Sequence, residues 1–291
     1  MSRLRESPIF PPTVFPYGLM GSPRIKAVSF DLWETLLLER DRADRLRSAA
    51  RCQALSEALA ALGVDLSLEE VTRAHDALAS WLTQFWVKNE DVTHLDHLCF
   101  ILREASGGSL TLKPEWIGPL TEAYISPLFK VPPWLDPEAA PTLAALRERG
   151  KRLCLISNVG RTPSLALRRF LAQAGLLDLF DALLFSDEAR VRKPSVRIFH
   201  LAAERLGLAP AEIVHVGDQL AADIHGAKAA GMRAVLLSSQ VGHDREAEAD
   251  PSSLISISVR LADQTTAKVD PDATIHSLSE LVQTIDRLDG A

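Results

Sequence analysis

The sequence is short of the features that announce a compartment or a polyanionic partner. It has three cysteines, Cys52, Cys99 and Cys154, an odd number, far apart and in no metal or redox spacing. That excludes a disulfide framework and suits a reducing cytoplasm. Cys154 sits inside an apolar run and reads as a buried thiol. There is no basic tract, and the net charge is −6, so no electrostatic nucleic-acid partner is expected. The mild acidity argues only for solubility. No apolar run approaches membrane-spanning length, so no membrane partner is expected either. The opening residues Met1–Glu6 carry basic side chains, but prolines at 8, 11, 12 and 16 break up the stretch after them, and no signal peptide is read. Repeats and low-complexity segments are lacking too. The 291 residues, 47% of them apolar, allow one large domain or two smaller ones with a real core, as a monomer or a homodimer.

What is present is organised around residues 25–37, Ile-Lys-Ala-Val-Ser-Phe-Asp-Leu-Trp-Glu-Thr-Leu-Leu. Ala27, Val28 and Phe30 suit a fully buried parallel strand, although a run this short does not by itself exclude helix. Asp31 then falls at the strand's carboxyl end, where open α/β sheets place their ligands. A lone aspartate there is most simply a loop residue capping the next turn; residues further along the chain overturn that reading.

Residues 1–23 are proline-rich and aperiodic, an irregular arm with Phe10, Phe15 and Tyr17 available for packing. From 41 to 131 the texture is helical. Leu46, Ala49, Ala50, Leu55, Leu59 and Leu62 give a helical spacing that Gly63 stops. Ser67-Leu68-Glu69-Glu70 is a capping-box pattern, followed by the stripe Val71, Ala74, Leu78, Trp81, Leu82 and Phe85. Further helices are expected over 95–104 and 115–128. Asp91, His94 and His97 have a spacing that invites a metal, but a solvated helix start is the better expectation, and the aromatic residues read as packing. Pro132–Leu135 reads as a return linker. Strands at 153–157, 182–186, 213–216 and 233–237 then alternate with helices, which implies a parallel sheet with helices on both faces. Ser239–Asp270 is charged, with one strand-like patch at Leu254–Val259, before a short strand at 274–277 and a closing helix.

Four features stand at the ends of successive strands: Asp31 with Thr35; Ser157-Asn158; Lys193-Pro194; and Gly217-Asp218-Gln219-Leu220-Ala221-Ala222-Asp223. Each alone has a bland reading: a turn, a solvated lysine, an acid favoured by a helix dipole. Parallel strands bring their carboxyl ends to one edge, so together they can converge on one pocket.

In this order and spacing, the chain from Ile25 onward resembles the haloacid dehalogenase (HAD) superfamily of hydrolases, in the branch with a helical cap inserted after the first strand. The run from Val216 to Asp223, with Gly226-Ala227 and Ala230-Gly231-Met232, carries the resemblance most strongly. It implies a Rossmann-like, doubly wound parallel sheet core over 24–40 and 132–291 with an all-α cap over 41–131. It also implies that Asp31 is a nucleophile, that Ser157, Asn158 and Thr35 bind phosphate, and that Lys193 balances charge. Mg²⁺ would be held by Asp31, Asp218, Asp223 and the backbone carbonyl of Trp33. The chemistry is coherent: a carboxylate attacking a phosphoryl group needs nearby positive charge, and carboxylate oxygens are hard enough for Mg²⁺.

One departure matters. The family's phosphatases usually carry a second aspartate two residues after the nucleophile; here that residue is Trp33, which can neither protonate a leaving group nor activate water. Loss of a general acid costs about 10²–10⁴ in rate. Three readings therefore compete. First is a phosphohydrolase for a small phosphorylated metabolite, preferring leaving groups that need no proton. Second is a binding module without catalysis. Third is a dehalogenase, whose branch has an aromatic residue at this position but no need for the metal motif.

Overall fold

The computed structural model describes residues 24–40, 42–238 and 269–290, together with Ile257 and Leu261. The proline-rich arm and nearly all of the 239–268 segment lie outside the described residues. Ile257 and Leu261 are helical and pack on the core, so at Ile257 the strand-like expectation gives way to helix.

The first strand, β1 (Ala27–Phe30), is completely buried. It is followed by β2 (Leu37–Leu38) and five helices: α1 (Ala43–Ala61), α2 (Leu68–Trp86), α3 (His94–Ala105), α4 (Pro114–Ile125) and α5 (Pro127–Lys130). The chain returns through β3 (Trp134–Leu135) and alternates thereafter: α6 (Ala139–Glu148), β4 (Arg152–Ser157), α7 (Ser164–Gln173), β5 (Ala182–Phe185), α8 (Ser186–Ala189), α9 (Val196–Leu206) and β6 (Ile213–Gly217). A wide π-type turn over Leu220–His225 leads into α10 (Gly226–Ala229), then β7 (Arg233–Leu237), β8 (Ala273–Ile275) and α11 (Leu281–Asp289).

Six strands pair in the order β5-β4-β1-β6-β7-β8, every pair parallel. The expected α/β, Rossmann-like sheet is what forms. Period-two alternation explains its two cores. Val28, Phe30, Leu155 and Val216 face one side, with α6, α7 and α11. Ala27, Cys154, Ile156 and Ile213 face the other, with α9 and α10. The strand β1 is central, between β4 and β6, and its register sets Phe30 level with Leu155 and Val216. Asp31, Ser157 and Asp218 therefore leave the sheet along one edge.

The helical stretch follows its capping signals. Ser67 and Thr93 each form a capping box, with Glu70 and Asp96, and Gly63 ends α1 at φ 74°. Two expectations need correction. Residues 134–135 are not a bare linker: they pair antiparallel with β2, Leu37 opposite Leu135 and Leu38 opposite Trp134. A two-residue pairing across a hundred positions leaves no periodic trace in a sequence. Leu46 is not on the buried stripe of α1; it is 56% exposed, and the buried face carries Arg47 and Arg51 beside Leu55 and Leu59. Among the described residues, no helix is long and apolar enough to cross a membrane.

Candidate active site

Asp31 is the first residue beyond β1, and its N–H still donates to the Val216 carbonyl at 2.9 Å. The chain then reverses. The N–H groups of Leu36 and Leu37 both donate to the Leu32 carbonyl, and Glu34 takes a left-handed φ of 57°. This turn puts Trp33 and Glu34 into the wall of a cavity of about 150 Å³ that also holds Asp31, Asn158, Lys193 and Gln219.

Lys193 is the hinge of the site. Its Nζ donates to Asp31 Oδ1 and to Asp223 Oδ1, each at 2.6 Å. Its backbone is clamped by Asn158, whose Oδ1 accepts from the Lys193 N–H at 2.8 Å and whose Nδ2 donates to the Lys193 carbonyl at 3.0 Å. Asn158 thus spends its amide on positioning the lysine. Asp223 is also held by the Gln219 N–H at 3.0 Å and by His215 Nε2 at 3.1 Å. The other ring nitrogen of His215 faces Ser29 Oγ at 2.9 Å, so a buried chain runs from β1 through β6 to Asp223 and Lys193. Gly217 makes room for it: a Cβ there would stand 2.3 Å from Asp223 Cγ.

Asp218 differs. Its Oδ1 is buried with no hydrogen-bond partner. Oxygens of Asp31, Asp218 and Asp223 lie within 4.8 Å of one another. Three carboxyl groups share the single ammonium of Lys193, so full ionisation would leave an excess of two negative charges. Burial, with the neighbouring Asp223 and Asp31 charges, pushes the Asp218 carboxyl well above its usual range. Burial likewise raises Asp31, to about 6, against the pull of Lys193. Asp223 goes the other way: burial opposes it, but Lys193 and His215 hold it well below the usual carboxylate range. A divalent cation fits this arrangement in charge, donor hardness and the orphaned oxygen. Asp31 and Asp218 are its natural ligands, because both oxygens of Asp223 already have protein donors.

Thr35 and Ser157 are fully buried and do not line the cavity. The Thr35 hydroxyl has no partner, and Ser157 Oγ donates to the Asn158 carbonyl at 3.3 Å. The structure thus gathers Asp31, Lys193, Asp218 and Asp223, with Asn158 and Trp33 in the wall.

Asp91, His94 and His97 are not a solvated helix start. Asp91 is buried, accepting from Trp86 Nε1 at 3.2 Å, Ser186 Oγ at 2.5 Å and Arg192 Nη1 at 2.6 Å. It ties the α2–α3 junction to the residue before Lys193. His97 is buried against the Tyr124 hydroxyl at 2.8 Å, and His94 Nε2 is 3.3 Å from Thr121 Oγ1. Sequence reading passes over His215, Arg47, Arg51, Arg161 and Arg192. For His215 a signal exists, since a histidine inside an otherwise apolar strand must find a polar partner.

Comparison with known proteins agrees with this geometry. The family description "haloacid dehalogenase-like hydrolase" matches residues 25–231, and "HAD-hydrolase-like" matches 190–281. A protein of Methanopyrus kandleri named glyceraldehyde 3-phosphate phosphatase is 34% identical over 229 residues, 78% of this chain and 89% of the relative. A crystal structure titled HAD phosphatase, from Thermococcus onnurineus, superposes with a TM-score of 0.52 at 26% identity, covering 90% of this chain and 98% of that one. The 2-haloacid dehalogenase of Pseudomonas syringae superposes with a TM-score of 0.61 at 24% identity, covering 91% and 99%, and shows the shared fold alone. On the span of these matches and the convergence of the strand-end residues, the chain belongs to the haloacid dehalogenase-like hydrolase family.

Proposed function

We propose that the chain is a Mg²⁺-dependent phosphohydrolase that acts on a small phosphorylated metabolite through an aspartyl-phosphate intermediate. The observation that carries this reading is Lys193 Nζ bridging Asp31 and Asp223 beside the unpartnered Oδ1 of Asp218. A carboxylate with a cation beside it, in a cavity wall that holds more acid than base around Lys193, is equipped to receive a phosphoryl dianion together with a divalent metal. Bound Mg²⁺, held by Asp31, Asp218 and the Trp33 carbonyl, would offset charge on the phosphoryl oxygens.

Asp31 attacks phosphorus, forming a carboxyl O–P bond as the bond to the leaving oxygen breaks. Lys193 keeps Asp31 oriented and offsets the charge that collects there. The leaving group departs as an anion or takes its proton from water. A second water then attacks phosphorus, releasing inorganic phosphate and restoring Asp31. The chain supplies no aspartate at position 33, so acyl phosphates and other activated esters suit it better than simple alkyl esters. The helices over 41–131 serve as the cap that closes over the cavity.

The relatives support hydrolysis of a phosphate rather than of a carbon–halogen bond, since the Methanopyrus kandleri relative, 34% identical over 78% of this chain, is named a phosphatase. The excess of acid points the same way: halide displacement has no use for a cation site. Trp33 in the cavity wall is the observation that favours a non-catalytic binding module. Hydrolysis of acetyl phosphate or p-nitrophenyl phosphate decides between them. Turnover is expected to need Mg²⁺ and to fall by at least about 10³-fold in Asp31→Asn. Turnover surviving both EDTA and that substitution contradicts the mechanism.

A further inference from the structure

The same cavity also carries a basic cluster. Three guanidinium groups gather there from two parts of the chain: Arg47 and Arg51 from α1, and Arg161 from the loop after β4. Arg47 and Arg161 line the cavity, and Arg51 stands behind them, fully buried. Arg47 is matched by a buried, two-pronged ion pair with Glu39. Arg161 reaches Asp44 only at 3.9 Å, beyond hydrogen-bond range. Arg51 donates its Nε to the Tyr124 carbonyl at 3.0 Å and packs over that ring; it forms no ion pair among the described residues.

The donors tell the same story. Arg47 Nε, Arg51 Nη1 and Arg161 Nε are buried and without a hydrogen-bond partner. So are both ring nitrogens of His75, on α2, which packs against α1, and Nε2 of His97, on α3. Buried polar atoms are rarely left unpaired, and a buried arginine left uncompensated is costlier still. Asp76, beside His75, is largely in solvent. Among the described residues, Glu39 pairs with Arg47, Asp44 stands 3.9 Å from Arg161 and Glu34 also lines the cavity, but no carboxylate pairs with Arg51. Water would satisfy the orphaned hydrogens but leave the charge; an anion does both.

Resting on the phosphohydrolase reading for the acid cluster around Lys193, we infer that Arg161, backed by Arg51, binds a second anionic group of the substrate. The substrate class is then a small phosphoester bearing a carboxylate or a second phosphate. A guanidinium fork suits either group through paired hydrogen bonds, which an ammonium does not reproduce. The substrate so described is complementary to the whole cavity, with its phosphoryl group at the Lys193 end and its distal anion at the arginine end.

The test uses the full chain in Mg²⁺ buffer and three matched probes: glycerol 3-phosphate, 3-phosphoglycerate and glycerol 1,3-bisphosphate. Dissociation constants come from thermal-shift titration and from competition with p-nitrophenyl phosphate. At least one doubly anionic probe is expected to bind about 10- to 100-fold tighter than glycerol 3-phosphate. Which one does so separates carboxylate from phosphate recognition. In Arg161→Gln that preference should collapse toward unity, and in Arg161→Lys it should fall partway, with melting curves confirming the fold. Equal affinity for all three probes in the wild type overturns the inference, as does a preference that survives Arg161→Gln. If p-nitrophenyl phosphate is hydrolysed without any such preference, the phosphohydrolase reading stands and the anion site falls. If the preference holds with no hydrolysis, the reverse is true.

Discussion

The two ends of the cavity are both built from buried charge, but they are finished differently. At the acid end, side chains come from strand termini, and nearly every donor meets an acceptor: Lys193 with Asp31 and Asp223, His215 with Asp223 and Ser29. Among the described residues at this end, Asp218 Oδ1 is left open, and so is the Thr35 hydroxyl behind the wall. At the basic end, side chains come from a helix face and a loop, and three guanidinium groups keep buried nitrogens without partners. A closed network fixes the geometry of reacting groups. An open one waits for a ligand. On the proposed reading, the difference separates chemistry from recognition within one small space.

Breaking the closed end should cost most. Lys193→Met leaves Asp31 and Asp223 buried without their cation and is expected to destabilise the fold by about 3–5 kcal/mol. Urea unfolding in EDTA measures this; a loss within about 0.5 kcal/mol would mean that the network is not closed in the way described.

Next comes the response of the basic end to acid. Burial lowers His75 to about 4 and His97 to about 3, and nearby arginines add to the effect. Both histidines are neutral when folded, yet protonate near pH 6.5 when unfolded. Between pH 6.5 and about 4 the unfolded chain therefore binds more protons, so this contribution is complete above pH 6.5 and is lost as the pH falls. The slope is about 1.4 kcal/mol per pH unit for each histidine. Comparing wild type with His75→Leu across this window should show one histidine's share removed; identical slopes would place His75 in contact with water.

Smallest is Arg51→Met. It takes away a cation with no acid partner and one hydrogen bond to the Tyr124 carbonyl, so the expected loss is about 1 kcal/mol or less. A loss as large as that of Lys193→Met would show that Arg51 has a counterion in the resting protein and that the two ends are alike.

The acid end is legible in the sequence because parallel strands alternate with helices at regular spacing, with Asp31 and Asp218 directly after their strands and Lys193 and Asp223 in the segments that follow strand ends. Asp31, Lys193, Asp218 and Asp223 all stand out on that ground, and all four meet. Their division of labour is not legible. Asn158 reads as a phosphate-binding residue, but its amide is committed to the Lys193 backbone, and Thr35 and Ser157 stand outside the cavity wall. The basic end is hidden because arginines on an amphipathic helix read as its wet face. On α1 that reading picks the wrong face: Leu46 is exposed while Arg47 and Arg51 are buried. Only tertiary packing, from α4 and the loop at Arg161, turns that face inward. The β2–β3 pairing is hidden for a related reason, since two residues carry no period.

The central claim is that the Asp31 carboxylate takes the phosphoryl group. Mixing the enzyme with acetyl phosphate and Mg²⁺, quenching in acid and mapping the peptides by mass spectrometry tests it directly. The account predicts a phosphoryl group on Asp31 and none in Asp31→Asn. Phosphate released at a steady rate while Asp31 stays unmodified at every quench time, or a phosphoryl group on another residue, would contradict it.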